Sequence, residues 1–310
     1  PCGTLFPYTT LFRSRSGVRF VSSCSHCLRQ RLSNGLIVLL SDVFVNGPTV
    51  RVRRRRRDGP GVSARLDASG RHAYRELVNL PDLITRPVFL FDLFHTLSTI
   101  RHAKVEGPET HELLGVSREV YVAALFGDSD LRLRGTLRDH VEIVADIARA
   151  AGSTVPAGRY PQIAQARAGR FAESLRRVAP HVLETLDALR TAGKRLALIS
   201  NADVLEAAGW PDSPLAARFD HAIFSCDVGL VKPEPAIYAL ALERLGARPE
   251  DAVFVGDGGS NEFAGARAAG VPTICTTEFI RDIWPERVAA RIAEADCSIA
   301  RITELAGDGG

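Results

Sequence analysis

From residue 87 onward, short apolar runs alternate with helix-period segments, and few folds accommodate that rhythm. The runs are Val88–Phe91, Leu196–Ile199, Ala222–Phe224, Ala252–Val255 and Pro272–Cys275, with Cys297–Ala300 as a weaker last strand. Between them lie Val182–Thr191, Ala236–Leu245 and Asn261–Ala269. Each is followed by a glycine (Gly193, Gly246, Gly270) where a left-handed helix cap fits. This alternation predicts right-handed crossovers and a parallel sheet covered on both faces. Ligands bind such sheets beyond the carboxyl ends of the strands. Four polar residues read as standing there: Asp92, Ser200, Lys232 within Gly229-Leu-Val-Lys-Pro-Glu-Pro235, and Asp257. A carboxylate after the apolar run Pro87–Phe91 is costly unless a metal or hydrogen bonds hold it.

The 108 residues separating Asp92 from Ser200 far exceed one crossover. They read as helices at Glu109–Leu114, Ser117–Leu125, Leu137–Ala150 and Pro161–Val178, an all-helical insertion. Ser200 to Lys232 and Lys232 to Asp257 are short enough for one strand–helix step each.

Asp92 in Phe91-Asp-Leu-Phe-His-Thr-Leu97, Ser200-Asn201, Lys232-Pro233 and Val255-Gly-Asp-Gly-Gly-Ser-Asn-Glu262 together resemble the haloacid dehalogenase-like hydrolase superfamily, over roughly residues 87–305. The resemblance implies a Rossmann-like α/β core at 87–98 and 180–305, with a helical cap of the small-bundle class at 99–179. It implies Asp92 as nucleophile, with Ser200 and Lys232 holding the transferring group. It also implies Mg²⁺ held by Asp92, the Phe94 backbone carbonyl and Asp257, with Glu262 in support. Asn201, His95 and Thr96 are the expected substrate contacts. A covalent aspartyl intermediate splits one hard displacement into two easier ones. A hydroxyl and an ammonium stabilise charge on a phosphoryl group. The competing reading of Asp257 and Glu262 is a glycine-rich turn with helix-capping acids.

Phe94 departs from the pattern, because the phosphatases of the superfamily carry a second aspartate there. That acid protonates the leaving group, and its loss costs on the order of 10²–10⁴-fold. Three readings follow: a phosphatase for good leaving groups, a metal-free 2-haloacid dehalogenase, or a binding protein without turnover. Retention of Asp257 favours the first. His95, where the family usually has Gly, is a candidate substitute acid/base or a space-filler. Arg132, Arg134, Arg138 and His140 in the insertion are expected either to choose the substrate or to form a solvated face.

Composition divides the chain. Residues 1–86 hold 15 Lys and Arg against 5 Asp and Glu, whereas the remainder is acidic, for a total of +3. Thr4–Ser14 resembles the translation of a short-read sequencing adapter, and the chain contains no methionine. Residues 1–86 are therefore expected to be non-native or disordered, and 1–14 to be a sequencing scar. Arg51–Arg57 lacks the aromatic platform of a nucleic-acid site, and Cys24-Ser-His-Cys27 lacks a second ligand pair for zinc. Leu36–Leu40 is too short for a membrane span. The other cysteines read as buried thiols of a reducing compartment. The expectation is a cytoplasmic hydrolase, monomer or homodimer, acting on a small anionic molecule and needing Mg²⁺, with no nucleic-acid or membrane partner.

Overall fold

A computed structural model describes residues 79–127 and 129–307, together with backbone strands between residues 12 and 76. The chain divides into two units, Pro1–Val78 and Asn79–Gly310. The strands of the first unit pair antiparallel in two four-stranded sheets. The side chains of residues 1–14, of the Cys24–Cys27 pair and of the Arg51–Arg57 run, and the expectations about them, lie outside what is described.

The second unit is built on six parallel strands: β1 (Val88–Phe91), β2 (Arg195–Ser200), β3 (His221–Phe224), β4 (Ala252–Gly256), β5 (Thr273–Thr276) and β6 (Cys297–Ile299). Their order is β3-β2-β1-β4-β5-β6. Each neighbouring pair is parallel. Alternate residues of a strand point to opposite faces. Val88 and Leu90 join one core with Ala197, Ile199 and Phe254, while Phe89 and Phe91 on the other face are equally buried. Burial on both faces explains why these strands read as continuous apolar runs. The order reverses between β1 and β4, which opens a crevice beyond their carboxyl ends.

Between β1 and β2 lie the helices α1 (Arg118–Gly127), α2 (His140–Ala150) and α3 (Tyr160–Arg176), with no strand among the described residues of that stretch. Asp139 starts α2 by accepting from the N–H groups of Val141 and Glu142, both at 2.9 Å. Ile143, Val144, Ile147 and Ala148 line one face of α2 and pack with Leu114, Ile163 and Ala164, in a cluster that Leu205, just past β2, completes. The sheet is covered by α4 (Pro180–Thr191), α5 (Pro235–Leu245) and α6 (Glu262–Ala268) among others, and α7 (Val288–Glu294), which buries no residue fully, precedes β6. Proline opens α4 and α5, where its missing N–H costs nothing. Gly193, Gly246 and Gly270 have the positive φ expected of them.

Two expectations need correction. Residues 80–86 do not belong with the N-terminal segment: Leu83 is fully buried, and Arg86 donates to the carbonyls of Glu250 (2.7 Å) and Ala252 (2.8 Å). Lys232 is not at a strand end. β3 closes at Phe224, and a short helix, Ser225–Val228, intervenes before the loop that carries Lys232. Cys226 and Cys275 are buried and unbridged, and burial pushes both thiols up to about 12. No helix among the described residues is long and apolar enough to cross a membrane.

Candidate active site

Asp92 leaves the end of β1 and is tied to β4 through its N–H, which donates to Val255 O at 2.9 Å. Asp257 leaves the end of β4, and Glu262 opens α6 five residues later. Sheet register therefore brings Asp92 and Asp257 together, and one tight turn returns Glu262 to them. Gly258, with φ of 87°, begins that turn in a conformation that glycine adopts without strain. The three carboxylates are buried and offer oxygens within 4.8 Å of one another.

Lys232 reaches the cluster from its loop. Its Nζ donates to Asp92 Oδ1 and, at 2.7 Å, to Glu262 Oε2. The loop is placed from two sides. Asn201, just past β2, donates its amide N–H to Lys232 O (2.9 Å) and accepts from Lys232 N (2.8 Å). On α6, Gly265 lies so close to Pro233 that a Cβ there would stand 2.3 Å from its carbonyl oxygen. Asn201, an expected substrate contact, uses one amide N–H and one oxygen lone pair to fix Lys232. Thr96, another expected substrate contact, donates its hydroxyl to Asp92 Oδ2 at 2.8 Å, which orients the carboxylate. Ser200 arrives at the end of β2 as expected, and its buried Oγ has no hydrogen-bond partner.

Phe94 turns its ring onto Phe171 of α3, with centroids 5.3 Å apart in an edge-on pair. His95 adopts φ of 64°, its ring stands edge-on to Trp284 at 4.7 Å, and its buried Nδ1 has no partner. Left-handed backbone at a non-glycine residue is strained and often marks a functional site. Desolvation lowers the His95 pKa despite the nearby Asp257 and Asp92.

Burial raises the pKa values of Asp92 and Glu262, opposed by Lys232 and reinforced by the neighbouring acids; Glu262 is pushed up to about 8. Burial works against the Lys232 ammonium, but Asp92 and then Glu262 outweigh it and hold the pKa above the ordinary lysine value. Lys232 is therefore charged between its two acid partners.

Sequence reading missed Arg291 on α7. Its Nη1 lies 2.5 Å from Asp257 Oδ2 and 3.1 Å from Asp257 O. Nothing in the sequence separates this arginine from the many others, because it meets Asp257 only through the fold. The arginines of the insertion are engaged by the protein itself. Arg134 pairs with Glu234 (2.5 Å) and Arg138 with Asp227 (3.0 Å), so both clamp the insertion to the core. Arg132 is buried against Asp146. His140 lines a cavity of about 530 Å³ together with Gln165, Gly169, Ala172, Gly209 and Asp212, and no member of the acid cluster borders it.

A divalent cation can be tested against these residues. Hard carboxylate oxygens, few in number and close together, suit Mg²⁺. Each of the six oxygens already accepts a hydrogen bond: Asp92 from Lys232 and Thr96, Glu262 from Lys232 and Gly258, Asp257 from Gly259 and Arg291. Each keeps a second lone pair. The donor set fits the ion, with part of the negative charge already balanced.

The family profile of haloacid dehalogenase-like hydrolases matches residues 71–270. A phosphoserine phosphatase of Thermus thermophilus is 33% identical over 140 residues, which are 42% of this chain and 53% of that protein. A phosphoglycolate phosphatase of Salmonella choleraesuis is 37% identical over 110 residues, 35% of this chain and 43% of that one. The matched stretch thus spans about half the length of these relatives. Among solved structures, the L-2-haloacid dehalogenase of Xanthobacter autotrophicus with chloropropionic acid covalently bound aligns with a TM-score of 0.52 at 19% identity, covering 71% of this chain and 97% of that one. That likeness concerns the fold.

Proposed function

The chain belongs to the haloacid dehalogenase-like hydrolase family, and from that membership we propose a Mg²⁺-dependent phosphatase or phosphotransfer enzyme that acts on a small phosphorylated metabolite through Asp92. The supporting observation is the convergence of Asp92, Asp257 and Glu262 at the switch point of the sheet, with Lys232 between two of them. Asp92, the Phe94 carbonyl and Asp257 would hold the ion, supported by Glu262, and the bound ion would neutralise the carboxylates and a substrate phosphate.

Thr96 and Lys232 orient Asp92 for attack. A bond forms from an Asp92 oxygen to phosphorus while the bond from phosphorus to the leaving oxygen breaks. Lys232 and the unpartnered Ser200 hydroxyl stabilise the phosphoryl oxygens as charge builds. Phe94 has no proton to give, so the departing oxygen takes one from water. This favours leaving groups that need little acid help, such as acyl phosphates. Water then attacks phosphorus and releases Asp92. We assign the helical insertion, residues 99–179, as the cap over this site, with the core at 87–98 and 180–305.

A second reading is favoured by Arg291 and Phe94. In a 2-haloacid hydrolase, Asp92 attacks the carbon bearing the halogen, and the halide leaves as an anion that needs no proton. Such an enzyme loses nothing by having Phe94, and Arg291 beside Lys232 already balances much of the cluster's charge. Mass spectrometry of the enzyme quenched during turnover of an acyl phosphate separates the two. A phosphoryl group on the Asp92 peptide is expected; an unmodified Asp92 that becomes esterified by 2-chloropropionate would replace the first reading with the second.

A further inference from the structure

Arg291 is held in place independently of any substrate. Its guanidinium carbon lies 5.1 Å from the centre of the Trp284 ring, and its stem packs on Gly258. Its side chain is 12% exposed and that of Asp257 is 6% exposed, so the pair sits inside the crevice. The other Asp257 oxygen accepts from the Gly259 N–H at 2.9 Å. A divalent ion approaching Asp257 therefore meets a fixed positive charge on one of its two oxygens. Like charges at such spacing in a poorly solvated site repel strongly.

We propose that Arg291 is a built-in competitor for the divalent cation: guanidinium and metal exclude one another at Asp257, and binding of the ion moves Arg291 off the carboxylate. The inference rests on the reading of the cluster as a Mg²⁺ site. Trp284 already carries the Arg291 guanidinium at 5.1 Å beside that of Arg287 at 5.7 Å, so a displaced Arg291 must move relative to this ring. The consequence is a site whose affinity for Mg²⁺ is weak and set by one residue outside the recognised motifs.

The test is titration calorimetry of the full chain with Mg²⁺, on wild type, Arg291→Gln, Arg291→Lys and Asp257→Asn. Arg291→Gln keeps a hydrogen-bond donor without the charge and should bind Mg²⁺ about tenfold more tightly or better. Arg291→Lys keeps the charge and should stay near the wild-type affinity. Equal or weaker binding by Arg291→Gln, with the heat still lost in Asp257→Asn, would overturn the competition and leave the metal site standing. No binding by any of the four proteins would instead overturn the metal reading itself. Fluorescence of Trp284 in a Trp210→Phe background gives a readout that does not depend on Arg291→Gln folding. Mg²⁺ should change the emission as the guanidinium leaves the ring; calorimetric binding with unchanged emission would contradict the displacement.

Discussion

Lys232 binds Asp92 and Glu262 at once, so removing its charge leaves two buried carboxylates facing each other beside Asp257. Breaking one side of a buried ion pair costs about 3–5 kcal/mol. Lys232→Met should lose up to that much stability, most above pH 8 where the Glu262 carboxyl, pushed up to about 8, has given up its proton, and less at neutral pH; urea denaturation at pH 7 and pH 9 checks it. His95 gives a second pH dependence. Its folded pKa lies below the ordinary 6.5, so the unfolded chain binds the proton more readily. Stability from this residue is whole above the unfolded value and is lost as pH falls toward the folded one. His95→Asn suits the left-handed backbone and removes the titration. Between about pH 7.5 and 5.5 the wild type should lose more stability than this variant, by at most about 1.4 kcal/mol per pH unit. Phe94→Asp restores a carboxylate two residues after Asp92. It gives up an aromatic pair with Phe171 worth about 0.5–1.5 kcal/mol. Hydrolysis of alkyl phosphates should rise, by up to about 10²-fold, and that of p-nitrophenyl phosphate little, because only the former need a proton.

At the scale of elements, the insertion is fastened to the core at several points. The most buried is Arg167 on α3, which donates to Asp203 (2.9 Å), Glu206 (2.6 Å) and the Tyr121 hydroxyl (3.1 Å). Asp203 caps the short helix Val204–Ala207 that follows Ser200 and Asn201, so the network joins the insertion to the edge of the site. Arg167 also stacks on Phe171, the partner of Phe94. Arg167→Met should cost about 3–5 kcal/mol, since it strands Asp203 with no counter-ion; the additional loss of Asp203 and Glu206 charges in a triple apolar variant should recover part of it in the same denaturation assay. This fastening was invisible in the sequence. An arginine at helical spacing reads as a solvated face, and only the crossing of α3 over the 200–206 loop reveals its acids. The strands and the acid motifs were legible because burial on both faces writes itself as unbroken apolar runs, and the acids follow those runs directly. Lys232 was found by its motif but misplaced, since the helix Ser225–Val228 is a single turn with too few residues to show a period. Asn201 and Thr96 were found as members of the site, yet their partners, Lys232 and Asp92, depend on loop geometry that no spacing encodes.

For the molecule as a whole, the unit boundary at Val78 and Asn79 sets where a shortened protein should begin. Starting at Asn79 keeps Leu83 in its buried position and keeps the Arg86 hydrogen bonds that join residues 79–86 to the start of β4. Starting at Pro87 forfeits them, and burial of one leucine alone is worth about 1.5–3 kcal/mol. The first truncation should melt with the full chain and the second several degrees lower. The central claim, a Mg²⁺-dependent phosphoryl transfer through Asp92, is tested most directly by release of inorganic phosphate from acyl phosphates and small phosphate esters. The assay is run with Mg²⁺ and with EDTA, beside chloride release from 2-chloropropionate. Phosphate release that needs Mg²⁺ and vanishes in Asp92→Asn is the expected result; chloride release indifferent to EDTA, with no phosphate released from any ester, would contradict it.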